Sequence, residues 1–333
     1  MYEFIDKLPV KLWKGYRLIA GDGTTVNIPV TKETEAHFGL YKASKTGGKT
    51  VLANACMLYD VLSNLTIAST IEPYKIDEKT MMPDLIKKSK VSNSIIILDR
   101  GFSCFYFIKM LAMHNLDFCV RLKTKGLLIA NIILNNPIDD FILEWIPSDE
   151  EKLTAKKKGQ DIKPIKIRAT KIILPSGEIE IIVSSLYDRD HITPEDINIL
   201  YHLRWNIEEG YKKLKPKMKL EQFGCKKSDG VYQEFYSHIF MMNLTTLLGS
   251  IAQESIDKKT EKRKFKYKYN WINAYKFLKG NLLKLYMSLD IKKEIEKIIQ
   301  KIEKSIIAIV PNRSFNRNGV GSSNKKRQTP IYK

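Results

Sequence analysis

The chain has no apolar run of about 18 residues or more, so no stretch reads as a membrane-spanning helix. Its start, Met1-Tyr-Glu-Phe-Ile-Asp-Lys-Leu-Pro9, has neither the basic end nor the apolar middle of a signal peptide. Cysteine is scarce. Cys56, Cys104, Cys119 and Cys225 form no C-x-x-C pair and no zinc spacing, and three of them sit in apolar runs. That is the pattern of buried free thiols in a reducing cytoplasm. The five histidines show no ligand spacing, and His202 and His238 read as helix-surface or core residues. Internal repeats are absent. Acidic residues are few beside the basic ones, and the stretch from Lys304 to Lys333 contains none.

What is present in excess is positive charge. Lys and Arg number 56 against 37 Asp and Glu, a formal net charge of +19. A one-signed surplus of this size points to a polyanionic partner, nucleic acid before a membrane surface, because no isolated basic amphipathic anchor accompanies it. The surplus is also local: Lys258-Lys-Thr-Glu-Lys-Arg-Lys-Phe-Lys-Tyr-Lys-Tyr269 interleaves cations with aromatic rings. Such a segment, like the basic tail, can neutralise phosphates and release counterions, or can serve as a solvated linker. With 333 residues, 44% of them hydrophobic, the chain is long and apolar enough to bury a substantial core in one large domain or two smaller ones.

Along the chain, Arg17-Leu-Ile-Ala-Gly21 predicts a strand running into a turn at Asp22-Gly-Thr-Thr, and residues 50–59 and 61–70 predict two more strands meeting at Tyr59-Asp60. Residues 77–88 have helical composition that Pro83 threatens to interrupt. Ser94-Ile-Ile-Ile-Leu98 predicts a strand buried on both faces, followed by a helix over 102–115 and a strand over 116–122. Between residues 126 and 189 the pattern changes to alternating polar and apolar positions on either side of Pro175-Ser-Gly177, a hairpin with one wet face. Thr193-Pro-Glu-Asp196 then opens a helix with a side-chain cap, a proline at its first position and acids in its first turn. Pro216 ends or kinks that helix, and another long helix is predicted over 231–257.

The helix opened by Thr193 carries an unusual stripe. At ~100° per residue, Tyr201, Arg204, Glu208 and Lys215 fall at about 0°, 300°, 340° and 320°. Beside them runs an apolar stripe of Leu200, Leu203, Ile207, Tyr211 and Leu214, the spacing of a core-facing helix. A glutamate on that border is held rigidly while it meets a polar site, which suits a metal-binding carboxylate; the same stripe also fits a solvated charged face. Two further acids stand out by position. Asp22 and Asp99 each follow an apolar strand and each precede a glycine within two residues, so backbone or substrate can come close. Three carboxylates from separate elements suit hard divalent cations, which take oxygen ligands and keep open positions for phosphate and water. Asp-Gly after a strand is equally an ordinary turn.

The three blocks together resemble the DDE transposases of bacterial insertion sequences, in particular the insertion-sequence-four family. Tyr201, Arg204, Glu208 and Lys215 match that family's signature of Tyr, two residues, Arg, three residues, Glu, six residues, Lys; Gly21-Asp22-Gly-Thr and Leu98-Asp99-Arg-Gly-Phe resemble its first- and second-aspartate blocks. The resemblance covers roughly residues 10 to 285. It implies an α/β fold with a ribonuclease H-like core, a mixed sheet flanked by helices, with a β-rich insertion between the second Asp and the catalytic Glu. On that reading residues 1–125 form the first part of the core, 126–190 the insertion, 191–258 the second part with the glutamate helix, and 259–333 a basic helical region and tail.

The resemblance further implies that Asp22, Asp99 and Glu208 hold two Mg²⁺ or Mn²⁺ ions, and that the activity is nicking at transposon ends followed by strand transfer into target DNA. Tyr201, Arg204 and Lys215 would contact DNA phosphates near the cut, although Arg204 is also placed to pair with Glu208 one turn on. Trp145, in the inserted region, would hold a flipped base; a lone tryptophan is also a common core residue. The implied partners are double-stranded DNA, both transposon ends and target, and a second copy of the chain in a homodimer on DNA; no membrane and no small-molecule substrate is implied. The implied setting is a prokaryotic cytoplasm at the nucleoid. Family members usually carry about a hundred helical residues before the first aspartate to help recognise transposon ends, whereas here Asp22 lies close to the first residue. The alternative expectation is therefore an amino-terminally truncated remnant that binds DNA without catalysis.

Overall fold

The computed structural model describes residues 11–42, 48–89 and 91–311. They divide into two compact units, Met1–Tyr211 and Lys212–Lys333.

The first unit is built on a nine-stranded mixed sheet. Its first strand, β1 (Arg17–Ile28), does not stop at Gly21 as the sequence suggests. Asp22-Gly-Thr-Thr stays extended because β3 (Lys49–Asp60) pairs antiparallel along it, from Ile19 opposite Asp60 to Ile28 opposite Val51. The far edge of β3 is shared by β2 (Leu40–Lys42) and β4 (Leu65–Pro73), both antiparallel. On the other side of β1 lies β5 (Ser94–Leu98), parallel, and beyond it β6 (Asp117–Arg121), also parallel. Three antiparallel strands followed by two parallel to the first make the ribonuclease H-like core that the resemblance implied.

Every residue of β5 is buried, with its three isoleucines and Leu98 at 0% exposure. Each such side chain contributes about 1.5–3 kcal/mol of burial, enough for five residues to hold a central position without alternation. One face of the sheet is covered by α2 (Glu78–Ser89) and α3 (Phe105–Met113), whose Met82, Leu85, Phe107 and Ile108 pack with Ile19, Ile96 and Val120. Pro83 does not interrupt α2; as its sixth residue it stands beyond the four N–H groups that lack intrahelical partners, and the helix continues through it. Preceding β2 is the short α1 (Lys32–Phe38), capped by Thr31.

The segment between β6 and the glutamate helix adds α4 (Leu128–Asn135), β7 (Asp140–Trp145), α5 (Asp149–Lys157), β8 (Ile165–Ile173) and β9 (Ile179–Ser184). Its strands extend the same sheet, since β9 pairs antiparallel with β6, β8 with β9 and β7 with β8. The expected wet face is not there. Ile167, Ala169, Ile181 and Val183 are buried in the α2–α3 core, and on the alternate positions Arg168, Thr170, Ile182 and Ser184 are buried as well. Arg168 is accommodated by a bidentate pair with Asp140 (2.8 and 3.0 Å), whose carboxylate also accepts from Thr170 (2.8 Å) and Arg189 (2.8 Å). The remaining donors of Arg168 reach the carbonyls of Leu186 (2.9 Å) and Ile192 (2.7 Å), pinning the chain just before α6 (Pro194–His202). The predicted side-chain cap of Thr193 is formed, and Asp196 reciprocates it in a capping box.

In the second unit, α8 (Ser228–Thr260) is followed by β10 (Lys266–Tyr269), α9 (Trp271–Met287), α10 (Ile291–Glu303) and β11 (Ile306–Ile309). β10 and β11 form an antiparallel ribbon, and Leu248, Ala252, Ile256, Ala274, Leu278, Ile298 and Ile302 make the core. The cation–aromatic stretch 258–269 thus spans the end of α8, a turn and a strand. Most of the acid-free tail, residues 312–333, lies outside the described residues. No helix among the described residues is long and apolar enough to cross a membrane.

Candidate active site

The parallel pairing of β1 with β5 ends with Gly21 opposite Leu98. The next residue on each strand is an aspartate, so Asp22 and Asp99 emerge side by side from neighbouring strands about 4.8 Å apart. Both carboxylates are oriented by local N–H groups: Asp22 Oδ1 accepts from Gly23 N at 2.9 Å, and Asp99 Oδ1 from Gly101 N at 2.8 Å, capping a three-residue 3₁₀ turn over Arg100–Phe102. A Cβ on Gly21 would meet Met82 of α2, so by strand alternation Asp22 points away from α2, toward the opposite face.

The glutamate arrives on α7 (Asn206–Lys212). Its residues through Tyr211 dock on β1 and β3 by two close contacts. Gly210 lets the backbone approach, since a Cβ there would stand 3.0 Å from Met57 Cε and 3.1 Å from the Tyr59 ring. Tyr211, assigned by its spacing to the apolar stripe, does more than fill space: its hydroxyl donates to the carbonyl of Asp22 at 2.7 Å. That bond ties the turn bearing Glu208 to the residue bearing the first aspartate. Asn206 adds a further tie, donating to the Val61 carbonyl at 3.2 Å.

The Asp22 carboxyl feels its neighbours. Burial pushes the Asp22 carboxyl up to about 6, against the Gly23 N–H and the Arg204 charge, while the charges of Asp99 and Glu208 push it further up. Asp22 therefore lies within electrostatic reach of Arg204, Asp99 and Glu208. No three His, Cys, Asp or Glu side chains among the described residues are gathered closely enough to hold one ion between them in this conformation. The donor set nevertheless fits hard divalent cations: all-oxygen carboxylates, half-buried and mutually repelling, are the groups such an ion would stabilise.

A fourth acid belongs to the same neighbourhood. Glu78, at the start of α2, is pushed up to about 7 by burial and by the charges of Asp22, Asp99 and Asp77. It carries no sequence motif; acids in a first helical turn are common for the helix dipole alone, which hid it.

The predicted signature residues have distinct surroundings. Tyr201 is buried, and burial pushes its phenol up, so it stays a neutral hydroxyl. Arg204 stands with its guanidinium 5.7 Å from the Tyr201 ring and 5.8 Å from the Trp205 ring. No ion pair joins Arg204 to Glu208 among the described residues, and Arg204 Nε is buried without a hydrogen-bond partner. A single helical wheel does not describe this stretch, because a 3₁₀ turn at Leu203–Trp205 and a π turn at Lys213–Lys217, which contains Pro216, break the α period. Lys215 lies in the second unit, with Nζ 3.5 Å from Glu221 Oε1. The expectation for Trp145 is corrected: it is 0% exposed and edge-on to Phe105 at 6.0 Å, a core position where no base can stack.

The sequence profile of the family described as "Transposase DDE domain" matches residues 13–244. Transposase InsG for insertion sequence element IS4 of Escherichia coli (strain K12) is 23% identical over 239 residues, covering 70% of this chain and 52% of the relative. The chain thus spans about half the length of that curated relative. Among solved structures, the piggyBac transposase synaptic complex with hairpin DNA aligns over 90% of this chain and 59% of its own, with a TM-score of 0.49 and 11% identity.

Proposed function

The chain belongs to the DDE transposase family, of the insertion-sequence-four type, and from that premise we propose that it cleaves phosphodiester bonds at transposon ends and joins them to target DNA. The observation that carries this reading is the register of β1 and β5. It delivers Asp22 and Asp99 side by side, next to a helix tied to Asp22 through Tyr211.

In this reading Asp22, Asp99 and Glu208 hold two Mg²⁺ or Mn²⁺ ions. When bound, the ions supply Lewis-acid stabilisation of the attacking and leaving oxygens of an in-line displacement. The chain's own residues do the positioning. The β1–β3 pairing at Asp22, the end of β5 before Asp99 and the Gly23 and Gly101 N–H groups fix the directions of the two aspartates, and Gly210 and Tyr211 set the depth of Glu208. Arg204, with an unpaired buried Nε and two aromatic rings within 6 Å of its guanidinium, is the group for a non-bridging phosphate oxygen near the cut. Tyr201 holds that guanidinium in place, and Lys215 supplies a further point charge to the DNA backbone. The partners are duplex DNA and a second copy of the chain, which coordinated cutting of two ends requires.

The test is nicking of a duplex carrying the element's terminal inverted repeat, in Mg²⁺, by the wild-type chain and by Asp99→Asn. The account predicts nicking by the first and none by the second; equal nicking by both would sink the catalytic assignment.

A further inference from the structure

Arg121 is the last residue of β6 and lies outside the family signature. Register carries it to the site. β5 and β6 run parallel with Leu98 opposite Val120, as β1 and β5 do with Gly21 opposite Leu98. The next residues on the three strands are Asp22, Asp99 and Arg121, which form one row across the sheet at about 4.8 Å per strand. Leu98 and Val120 pack into the core shared with α2 and α3, and a Cβ on Gly21 would meet Met82 of α2. By strand alternation the side chains of the row point to the opposite face. There α6 packs against β6 and carries Tyr201, which lies within electrostatic reach of Arg121, Arg204 and Asp99 together.

The guanidinium of Arg121 is held in place. Its Nη1 pairs with Oε1 of the buried Glu180 at 2.8 Å, and its Nη2 stands 3.8 Å from Glu178 Oε1. β9 pairs antiparallel with β6, Arg121 opposite Ile182, so Glu180 lies on the same face just beyond the end of β6. This pairing uses only part of the donor fork of an arginine, and the side chain remains partly exposed. A salt bridge alone would brace the edge between β6 and β9 at any point along it. A place in the row with Asp22 and Asp99 is more than a brace requires.

The geometry points to Arg121 as a substrate-contacting residue, whose guanidinium, aimed by Glu180, takes a non-bridging oxygen of a DNA phosphate beside the cut. This rests on the phosphodiester-cleavage reading of Asp22, Asp99 and Glu208. Arg204 bears on Asp22, whereas Arg121 stands next to Asp99 and one strand further from Asp22. The cleaved strand is then gripped by two guanidiniums, one delivered by the sheet and one by the turn before α7, each suited to a phosphate by its planar fork.

Neutral methylphosphonates, placed singly at the phosphates on either side of the cut, test the contact. Single-turnover nicking of the end duplex in Mg²⁺ is compared for wild type, Arg121→Gln, and Arg121→Gln combined with Glu180→Gln, which removes the pair without stranding a buried charge. On the unmodified duplex both variants are expected to nick at least about tenfold more slowly than wild type. At one flanking position the methylphosphonate should slow wild type by a similar factor and slow the variants no further, because one contact can be lost only once. Variants that nick at the wild-type rate, or equal slowing of wild type and variants at both positions, overturn the role of Arg121 and leave the cleavage reading standing. Absence of nicking by wild type removes that reading, and Arg121 with it. Should neither variant fold, wild type treated with an arginine-specific dicarbonyl decides. Protection of Arg121 by the end duplex, read by peptide mass, supports the contact, and modification unchanged by the duplex refutes it.

Discussion

At the scale of single residues, Tyr211 makes the sharpest distinction between packing and positioning. Its hydroxyl bond to the Asp22 carbonyl is worth about 1 kcal/mol to the fold. Tyr211→Phe keeps the ring, so the chain should fold with only that small loss. Nicking should fall much further, by on the order of a hundredfold, because an error of about 1 Å in a catalytic group costs that much. Single-turnover nicking beside thermal melting checks this; a variant with normal nicking and the expected small loss of stability would make Tyr211 merely a packing residue. Asp22, Asp99 and Glu208 stood out in the sequence because each aspartate follows an apolar run and a spaced signature marks the glutamate. Tyr211 did not, since a tyrosine on an apolar stripe looks like core until its partner is known. The nearness of Glu78 to Asp22 was not legible either, since an acid in a first helical turn is common for the helix dipole alone.

At the scale of elements, the register between β1 and β5 and the docking of α7 determine whether three acids meet. Neither was readable from sequence. The five residues of β5 announce a buried strand but not its partner, and Asp22 looked like a turn because the pairing that keeps it extended comes from β3, thirty-odd residues away. The broken α period around residue 204 was equally hidden, although Pro216 correctly warned of irregularity. Gly210→Ala should cost about 1–3 kcal/mol through overpacking against Met57 and Tyr59, and should impair nicking by lifting Glu208; denaturant unfolding measures the first effect.

The Arg168–Asp140 pair works in the same way for α6. Arg168→Met should destabilise the chain by about 3–5 kcal/mol, since it leaves Asp140 buried with one fewer cation. The pH dependence has a definite sign. Burial opposes ionisation of Asp140, but the Arg168 and Thr170 hydrogen bonds and the Arg168 and Arg189 charges outweigh it and hold the carboxyl below its usual value. A depressed carboxyl contributes stability that is full above its unfolded value, near 3.9, and is lost as pH falls through the lower folded value. The stability gap between wild type and Asp140→Asn should therefore be constant from neutrality down to about pH 4 and shrink below it. A gap that widens in acid would show that Asp140 is not the stabilised anion described here.

At the scale of the whole molecule, the net charge of +19 is the property that the sequence displays most openly. A duplex partner makes binding steeply salt-dependent, because each neutralised phosphate releases counterions. Replacing Lys264, Lys266 and Lys268 by alanine should lower the slope of log affinity against log salt by about one unit for each lysine that contacts phosphate. Fluorescence anisotropy across a salt series measures it, and an unchanged slope would exclude this strand-forming stretch from the DNA interface. The extended sheet between the second aspartate and the glutamate was legible as β-rich, but its burial on both faces was not. Alternation in β8 suggested water where Arg168 is in fact enclosed by its own hydrogen bonds.

The central claim is that Asp22, Asp99 and Glu208 act as one site. Its most direct test is the single-turnover nicking rate of Asp22→Asn, Asp99→Asn, Glu208→Gln and the triple variant on the same labelled end duplex in Mg²⁺. Groups that work as a unit are non-additive, so each single variant should be as inactive as the triple. A Glu208→Gln variant that nicks at the wild-type rate would contradict the account.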